Sequence, residues 1–168
     1  MDVKIKGRVW KFGDNINTDL IIAGKYKLSI TNIDELSRHA MEALIPNFAE
    51  KVKSGDILVA GKNFGCGSSR EQAPLVLKHI GIGAIVADSF ARIFYRNAIN
   101  LGLPVVECKE TRNIIEGDIL EINLTEGYVK NLTRNEVYNI KPMPSALLEI
   151  LINDGLVNYV KRYGKLPW

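Results

Sequence analysis

The sequence predicts an α/β fold with a mixed or parallel central sheet, formed by a single domain that spans residues 1–168. Two observations predict this fold. Short apolar runs, such as residues 57–60 and 84–87, alternate with segments of helical spacing, which is typical of buried parallel strands joined by helices. After residue 117 apolar and polar residues alternate instead, which is typical of antiparallel strands with one exposed face.

Turn and capping residues predict where the helices and strands begin and end in the first part of the chain. Asn32 is expected to cap one helix, and Ser89 is expected to cap another that Gly102 ends. The residues between the first strand and Tyr26 are predicted to form an ordered loop. The predicted strands are 3–12, 57–60, 84–87 and 103–106, and the predicted helices are 33–45, 71–79 and 90–101.

The last third of the chain is predicted to add a small antiparallel unit around the turn at Glu126-Gly127. Ser145 is expected to cap a final helix that runs through Leu151, and residues 157–163 are expected to add one or two turns. No internal repeat, low-complexity tract or linker divides the sequence.

Composition excludes several classes of protein. Hydrophobic residues make up 46% of the 168 residues, which is enough for one substantial core. The net charge of +3 comes from interspersed acids and bases, which argues against a nucleic-acid-binding stripe. No apolar run is long enough to cross a membrane, and the first residues lack the apolar core of a signal peptide. We therefore expect a cytoplasmic protein.

The sequence shows no complete metal site. Its two cysteines, Cys66 and Cys108, cannot by themselves hold an iron–sulfur cluster, which needs about four protein thiolates. His39 and His79 are not spaced to join them. A disulfide between the cysteines is disfavoured in a reducing compartment.

The most informative segment is the glycine-rich stretch 61–71, between a predicted strand and a predicted helix. This position favours anion binding, because free backbone N–H groups and the helix dipole face the loop. The loop is not a P-loop, because Gly67 is followed by Ser68 rather than lysine. It is not a dinucleotide fingerprint either, because Arg70 stands where the third glycine should be.

The remaining chemistry of this loop lies in Ser68, Ser69 and Arg70. A guanidinium fork suits a substrate carboxylate. A serine oxygen becomes a base only where positive charge and N–H donors stabilise its anion, and this loop offers both. The alternative interpretation is that Ser68 or Ser69 only caps the helix, with a contribution of ~1 kcal/mol to stability.

Three segments together, residues 12–22, 65–71 and 88–103, closely resemble the swivelling domain of the aconitase superfamily in its free-standing small-subunit form. The isopropylmalate dehydratase and homoaconitase families have such subunits. The resemblance covers the first two-thirds of the chain strongly and the last third weakly. It implies a β/β/α sandwich with a mixed sheet, and a reaction that removes water from a hydroxy di- or tricarboxylate and adds it back on the neighbouring carbon.

The resemblance also implies partners and a cofactor. A large subunit is expected to carry a 4Fe–4S cluster and to form a heterodimer or heterotetramer with this chain, which itself binds no cofactor. The substrate is expected to be a small hydroxy-dicarboxylate. The isolated chain can also form a homo-oligomer, and neither nucleic acid nor a membrane is an expected partner.

The resemblance implies roles for five residues. Ser68 would be the base that takes the carbon-bound proton, and Arg70 would stabilise its anion and grip a substrate carboxylate. Ser69 would donate a hydrogen bond to substrate. Thr18 and Asp19 would line the site, with Asp19 orienting catalytic groups or the arginine.

Several other polar residues are expected to be structural. Asp14 and Asn15 are predicted to build a turn. Arg92 and Arg96 are expected to brace their motif rather than contact substrate, and Cys66 is expected to be a small loop residue.

The resemblance places substrate selection in the loop that follows Asp19. Aconitase- and homoaconitase-like members place an arginine there for an extra carboxylate, whereas residues 24–31 contain none. Leu28 and Ile30 offer apolar contact, which stabilises a buried isopropyl group by ~0.8 kcal/mol per CH₂. The predicted specificity loop is Tyr26, Lys27, Leu28, Ser29, Ile30 and Thr31.

This loop favours isopropylmalate over homocitrate or citrate, since a third carboxylate would lie unpaired. The expected activity is the interconversion of 2-isopropylmalate and 3-isopropylmalate in leucine biosynthesis. Citramalate, an isoleucine precursor, would also fit. The alternatives are a homoaconitase small subunit, in which Lys25 or Lys27 pairs with the extra carboxylate, and a non-enzymatic anion-binding module.

Overall fold

A computed structural model describes residues 2–168. Within them, seven strands form one sheet in the order β4-β3-β2-β1-β5-β6-β7. The strands are β1 (Lys4–Lys11), β2 (Ile57–Ala60), β3 (Ala84–Ala87), β4 (Val105–Glu107), β5 (Ile119–Asn123), β6 (Tyr128–Asn131) and β7 (Glu136–Asn139). The helices are α1 (Thr18–Ile21), α2 (Gly24–Ser29), α3 (Ile33–Ser37), α4 (Phe48–Lys51), α5 (Gln72–His79), α6 (Arg92–Asn100), α7 (Ser145–Ile152) and α8 (Leu156–Tyr163), with a 3₁₀ turn at Thr111–Asn113.

Strand β1 joins two halves of the sheet. Its first residues, from Lys4 to Arg8, pair antiparallel with β5, and β5, β6 and β7 continue as an antiparallel meander. Its last residues, from Val9 to Lys11, pair parallel with β2, and β3 and β4 extend this parallel half. The predicted α/β fold with a mixed sheet is confirmed.

The two faces of the parallel half pack into different cores, which produces the β/β/α layering. In β2, Ile57 and Val59 share a buried cluster with Leu120 and Ile122 of the antiparallel half. Leu58 and the other alternate residues face the helices instead. Because both faces are buried, the strand sequences are continuously apolar. Full burial of each such leucine, isoleucine or valine contributes about 1.5–3 kcal/mol.

The predicted helix after Asn32 is shorter than expected. Asn32 does cap it, since its side chain accepts hydrogen bonds from the backbone N–H groups of Asp34 and Glu35. Helix α3 nevertheless ends at Ser37, because Met41 is buried in a left-handed conformation with φ 56° and donates its N–H to the Ile21 carbonyl. A tertiary contact therefore overrides the helical spacing of the sequence.

Other differences also involve local polar contacts. The predicted loop before Tyr26 contains the short helix α1 and the start of α2, and the Asn17 side chain caps α1 by accepting from the Leu20 N–H. Ser89 does not cap α6, because its hydroxyl oxygen accepts the Asn63 N–H at 2.9 Å. The antiparallel unit and the last two helices are present, but Ser145 does not cap α7: it is the first helical residue, and Pro144, which makes no side-chain capping bond, occupies the N-cap position. No helix within residues 2–168 has the length and apolarity to cross a membrane.

The two cysteines lie in different environments, which predicts a difference in reactivity. Both are free thiols. Cys108 is 2% exposed, and burial raises the pKa of its thiol to about 12, whereas Cys66 is partly exposed. At pH 8 we expect a thiol-specific chromogenic disulfide to label Cys66 in the native chain and Cys108 only after unfolding.

The control is Cys66→Ser, which should remove the rapidly reacting thiol and leave the slow one. Two rapidly reacting thiols in the native protein would contradict the buried position of Cys108.

Candidate functional site

Three loops meet at the carboxyl ends of β1, β2 and β3. They are residues 12–22 after β1, residues 61–71 after β2 (the glycine loop) and residues 88–91 after β3. These strands are parallel neighbours, so their carboxyl ends share one edge of the sheet, where ligands bind in open α/β sheets.

Backbone hydrogen bonds join the first loop to the glycine loop along its length. The Gly61 N–H donates to the Gly13 carbonyl at 3.0 Å, and the Gly65 N–H donates to the Ile16 carbonyl at 2.8 Å. In the opposite direction, the Thr18 N–H donates to the Cys66 carbonyl at 2.8 Å. These backbone hydrogen bonds therefore fix the position of the glycine loop against the first loop, much as the bonds between neighbouring strands fix a sheet.

The third loop is fixed to the glycine loop by both backbone and aromatic contacts. The Phe64 N–H donates to the Ser89 carbonyl at 3.0 Å, and the Ala91 N–H donates to the Phe64 carbonyl at 2.9 Å. The rings of Phe64 and Phe94 meet edge-on, with centroids 5.2 Å apart. The start of α6 is consequently held against the loop that carries Ser68.

Thr18 supplies a side-chain contact between the loops. It is 2% exposed, and its hydroxyl donates to the Ser68 carbonyl at 2.7 Å. This hydroxyl thus fixes the backbone at Ser68. Ser68 and Ser69 themselves are exposed.

Neither serine caps the following helix. Helix α5 begins at Gln72, and the residue before it, Glu71, makes no side-chain capping bond. Ser68 and Ser69 lie four and three residues before the first helical residue. The alternative interpretation of these serines as helix caps is therefore wrong.

Arg70 turns towards the first loop and is held there by Asp19. Its Nη1 donates to Asp19 Oδ1 at 2.9 Å and to the Ile22 carbonyl at 3.0 Å. The Arg70 side chain is 17% exposed and the Asp19 side chain 66%. The hydrogen bond from Arg70, followed by one from the Gly24 N–H, lowers the pKa of the Asp19 carboxyl below its usual range. Asp19 therefore remains a carboxylate that orients the guanidinium.

A cleft of about 210 Å³ lies between the glycine loop and the start of α6. Ser69, Arg70 and the buried Thr18 line one side, and Arg92 and Asn97 line the other. Sequence reasoning did not place Arg92 or Asn97 in a binding site. The signal that could have found Arg92 is its position just after the carboxyl end of a parallel strand.

Metal-binding side chains do not gather around this cleft. Within residues 2–168, no three histidine, cysteine, aspartate or glutamate side chains lie close enough together to hold a metal ion.

Comparison with known proteins identifies the family. The model of the aconitase C-terminal domain family matches residues 17–111, more than half of the chain. The chain belongs to this family. Within the family, the 3-isopropylmalate dehydratase small subunit 1 of Thermotoga maritima is 57% identical over 163 residues, which are 97% of this chain and 98% of that protein.

Two further members of the family are also similar over nearly their whole length. The methanogen homoaconitase small subunit of Methanothermobacter thermautotrophicus is 55% identical over 159 residues, 95% of this chain and 92% of that protein. The crystal structure of 3-isopropylmalate dehydratase from Methanocaldococcus jannaschii superposes with a TM-score of 0.89 at 48% identity, covering 96% of each chain.

The predicted specificity loop of this family member divides into packed and exposed residues. Tyr26 stacks on His39 with ring centroids 3.9 Å apart, and Ile30 packs against the helix-side core. Leu28 is 88% exposed. The exposed polar members are Lys27, Ser29 and Thr31. Of the two apolar residues expected to contact substrate, Leu28 is thus the more available.

The contact between the glycine loop and α6 predicts a strong effect of Gly65→Ala. Gly65 has φ +82°, and an added Cβ would lie 2.2 Å from Phe94 Cγ. We expect a loss of about 2–4 kcal/mol in the free energy of unfolding, from the left-handed backbone and from overpacking. Urea denaturation measures this loss.

Gly13→Ala is the matched control, because an added Cβ there meets nothing within 4 Å and the backbone is not left-handed. Its free energy of unfolding should change by no more than about 0.5 kcal/mol. Equal stability of the two variants would contradict the packing described for Gly65.

Proposed function

We propose that this chain is the small subunit of a 3-isopropylmalate dehydratase, which interconverts 2-isopropylmalate and 3-isopropylmalate in leucine biosynthesis in the cytoplasm. One observation carries the proposal: an exposed serine pair lies beside an arginine whose orientation is set by a carboxylate. The similarity to small subunits with this name over 97% of the chain supports it.

Ser68 is the proposed base. As its alkoxide it takes a proton from the carbon next to the one that bears the hydroxyl group, and the C–H electron pair forms a double bond between these carbons. The bond from carbon to the hydroxyl oxygen breaks, and the departing hydroxide takes a proton from an acidic group of the large subunit and leaves as water. Addition of water in the opposite sense returns the proton and places the hydroxyl on the neighbouring carbon. The Thr18 hydroxyl supports this role, because it fixes the Ser68 backbone and leaves the Ser68 side chain exposed.

Arg70 is proposed to bind a substrate carboxylate with the nitrogen that Asp19 does not hold. Nη1 is occupied by Asp19 and the Ile22 carbonyl, whereas Nη2 lies beside Gly24. A Cβ at Gly24 would lie 3.0 Å from Nη2, so a glycine there keeps this nitrogen accessible. Ser69 is proposed to donate a further hydrogen bond to the substrate.

The chain does not fit an iron–sulfur cluster of its own. Cys108 is buried, and two cysteines fall short of the four thiolates that a cluster needs. A large subunit is proposed to carry the 4Fe–4S cluster, which supplies Lewis-acid chemistry at the substrate hydroxyl. This chain would then act as a single domain within a heterodimer or heterotetramer.

The choice of substrate is proposed to rest on Leu28. Residues 24–31 contain no arginine, and Lys25 places its ammonium 4.9 Å from the centroid of the Tyr26 ring, in a cleft that also contains Glu42. The exposed Leu28 would bury its side chain against an isopropyl group, or against the smaller methyl of citramalate. The second candidate is a homoaconitase small subunit, favoured by the 55% identity to the methanogen protein.

Ser68→Ala tests the proposed base. In a complex reconstituted anaerobically with a cluster-bearing large subunit, we expect kcat to fall by about 10²- to 10⁴-fold, because proton transfer loses its acceptor. The wild-type chain alone should show no turnover. The change in absorbance of the unsaturated intermediate measures the rate, and gel filtration checks that assembly is unchanged.

Ser54→Ala is the control, since Ser54 is an exposed serine before the amino end of β2, at the opposite edge of the sheet from Ser68. Retention of full activity by Ser68→Ala would remove Ser68 from the proposed role.

Leu28→Arg tests the proposed substrate selection. A guanidinium at this position should lower kcat/KM for 2-isopropylmalate and raise it for homoaconitate, with a combined change of at least about tenfold in their ratio. Competition between the two substrates in the reconstituted complex measures the ratio directly.

Val137→Arg introduces the same group at an exposed residue on the edge strand β7, far along the sheet from the site, and should leave the ratio unchanged. A wild-type complex that prefers homoaconitate would instead favour the homoaconitase alternative.

A further inference from the structure

The cleft beside the glycine loop contains a second guanidinium that the proposed function leaves without a role. Arg92 is exposed and lines the cleft opposite Ser69 and Arg70. The expectation from sequence was that Arg92 braces its motif. Yet among the ion pairs formed by residues 2–168, none involves Arg92.

The charge balance of the site gives Arg92 a function. Asp19 offsets the charge of Arg70 at 2.9 Å, so this pair adds little net charge to the cleft. A hydroxy-diacid brings two negative charges. Arg92 supplies positive charge that no ion pair within the described chain offsets, and a guanidinium binds a carboxylate through two parallel hydrogen bonds.

The backbone at Arg92 is held firmly against the glycine loop. The preceding residue, Ala91, donates its N–H to the Phe64 carbonyl at 2.9 Å. Two residues later the Phe94 ring packs over Gly65, where even a methyl group would overlap it. The backbone of Arg92 is therefore fixed relative to the glycine loop, which limits the positions that its guanidinium can reach in the cleft.

The size of the cleft limits what it can hold. A volume of about 210 Å³ is below the range of roughly 300–1,000 Å³ that is typical of pockets for whole small-molecule ligands. It has room for one carboxylate-bearing arm of a small diacid. Its polar groups suit that arm, since the cleft offers two kinds of hydrogen-bond donor: the guanidinium of Arg92 and the side-chain amide of Asn97.

We propose that Arg92 is a substrate-binding residue, which together with Asn97 holds one carboxylate of the hydroxy-diacid while Arg70 meets another part of the substrate. This inference rests on the proposed function and assigns to this chain a second carboxylate contact, on the α6 side of the serine pair.

The test compares Arg92→Ala and Arg92→Lys with Arg96→Ala in the reconstituted two-subunit complex. Arg96 is exposed one turn further along α6 and does not line this cleft, which makes it the matched control. For each variant, calorimetric titration measures the affinity for 2-isopropylmalate, steady-state kinetics measures KM and kcat, and gel filtration measures subunit assembly.

We expect Arg92→Ala to raise both the dissociation constant and KM for 2-isopropylmalate by about 10- to 100-fold, the effect of losing a hydrogen bond to a charged group. The change in kcat should be much smaller. Arg92→Lys should recover part of the affinity, because it keeps the charge without the planar fork. Arg96→Ala should match the wild type.

Two results would overturn the role of Arg92. One is an unchanged affinity in Arg92→Ala; the other is weakened assembly with unchanged affinity, which would make Arg92 a subunit-docking residue.

The binding measurement separates this inference from the proposed reaction. A wild-type complex that binds the diacid without converting it refutes the reaction, while the Arg92 comparison still decides the carboxylate contact. A wild-type complex that binds no diacid overturns both.

Discussion

The arrangement of the site depends on the pairing between the loop after β1 and the glycine loop, with the Thr18 hydroxyl at its centre. This hydroxyl is buried and donates to the Ser68 carbonyl, next to the backbone bond from Thr18 to Cys66. The net contribution of such a hydrogen bond to stability is about 0.5–1.5 kcal/mol. Because β1 and β2 are parallel neighbours, the sheet itself brings these two loops together. The position of the serine pair is thus a consequence of strand order.

The same pairing determines the electrostatics of the site. The first loop carries Asp19, so fixing it against the glycine loop brings the carboxylate to Arg70. The lowered pKa of Asp19 means that this contact is present above the usual aspartate range and is lost only as the pH falls through the lower folded-state value. Arg70 is consequently oriented throughout the neutral range. The Asp19 carboxylate balances the positive charge of Arg70. A second guanidinium, that of Arg92, lies on the opposite side of the cleft.

Sequence reasoning succeeded where local pattern and burial agree. The strands were predictable because both faces of the parallel half are buried, which requires continuous apolar runs such as that of β2. The early end of α3 was not predictable, since it depends on Met41 reaching the Ile21 carbonyl across the fold. Ser89 has the sequence of a helix cap, but its partner is Asn63 on another loop. The cleft beside Arg92 forms where three loops meet, and the sequence of no single segment predicts such a meeting. The resemblance to a family pointed to Ser68, Ser69 and Arg70 as site residues. Their contacts, such as the bond from Arg70 to Asp19, are visible only in the structure.

The exposure of the site explains why this chain needs a partner. Ser68, Ser69, Leu28 and Arg92 all face solvent. A serine oxygen in water is a poor base, because stabilisation of its anion requires fixed dipoles and positive charge in a site from which water is excluded. The exposed carboxylate of Asp19 and the guanidinium of Arg92 are likewise weakened by solvent screening. A surface that covers the three loops would strengthen each of these interactions at once. Under the proposed function, the chain is therefore one wall of an active site, whose backbone geometry is fixed in advance and whose electrostatics a second subunit completes.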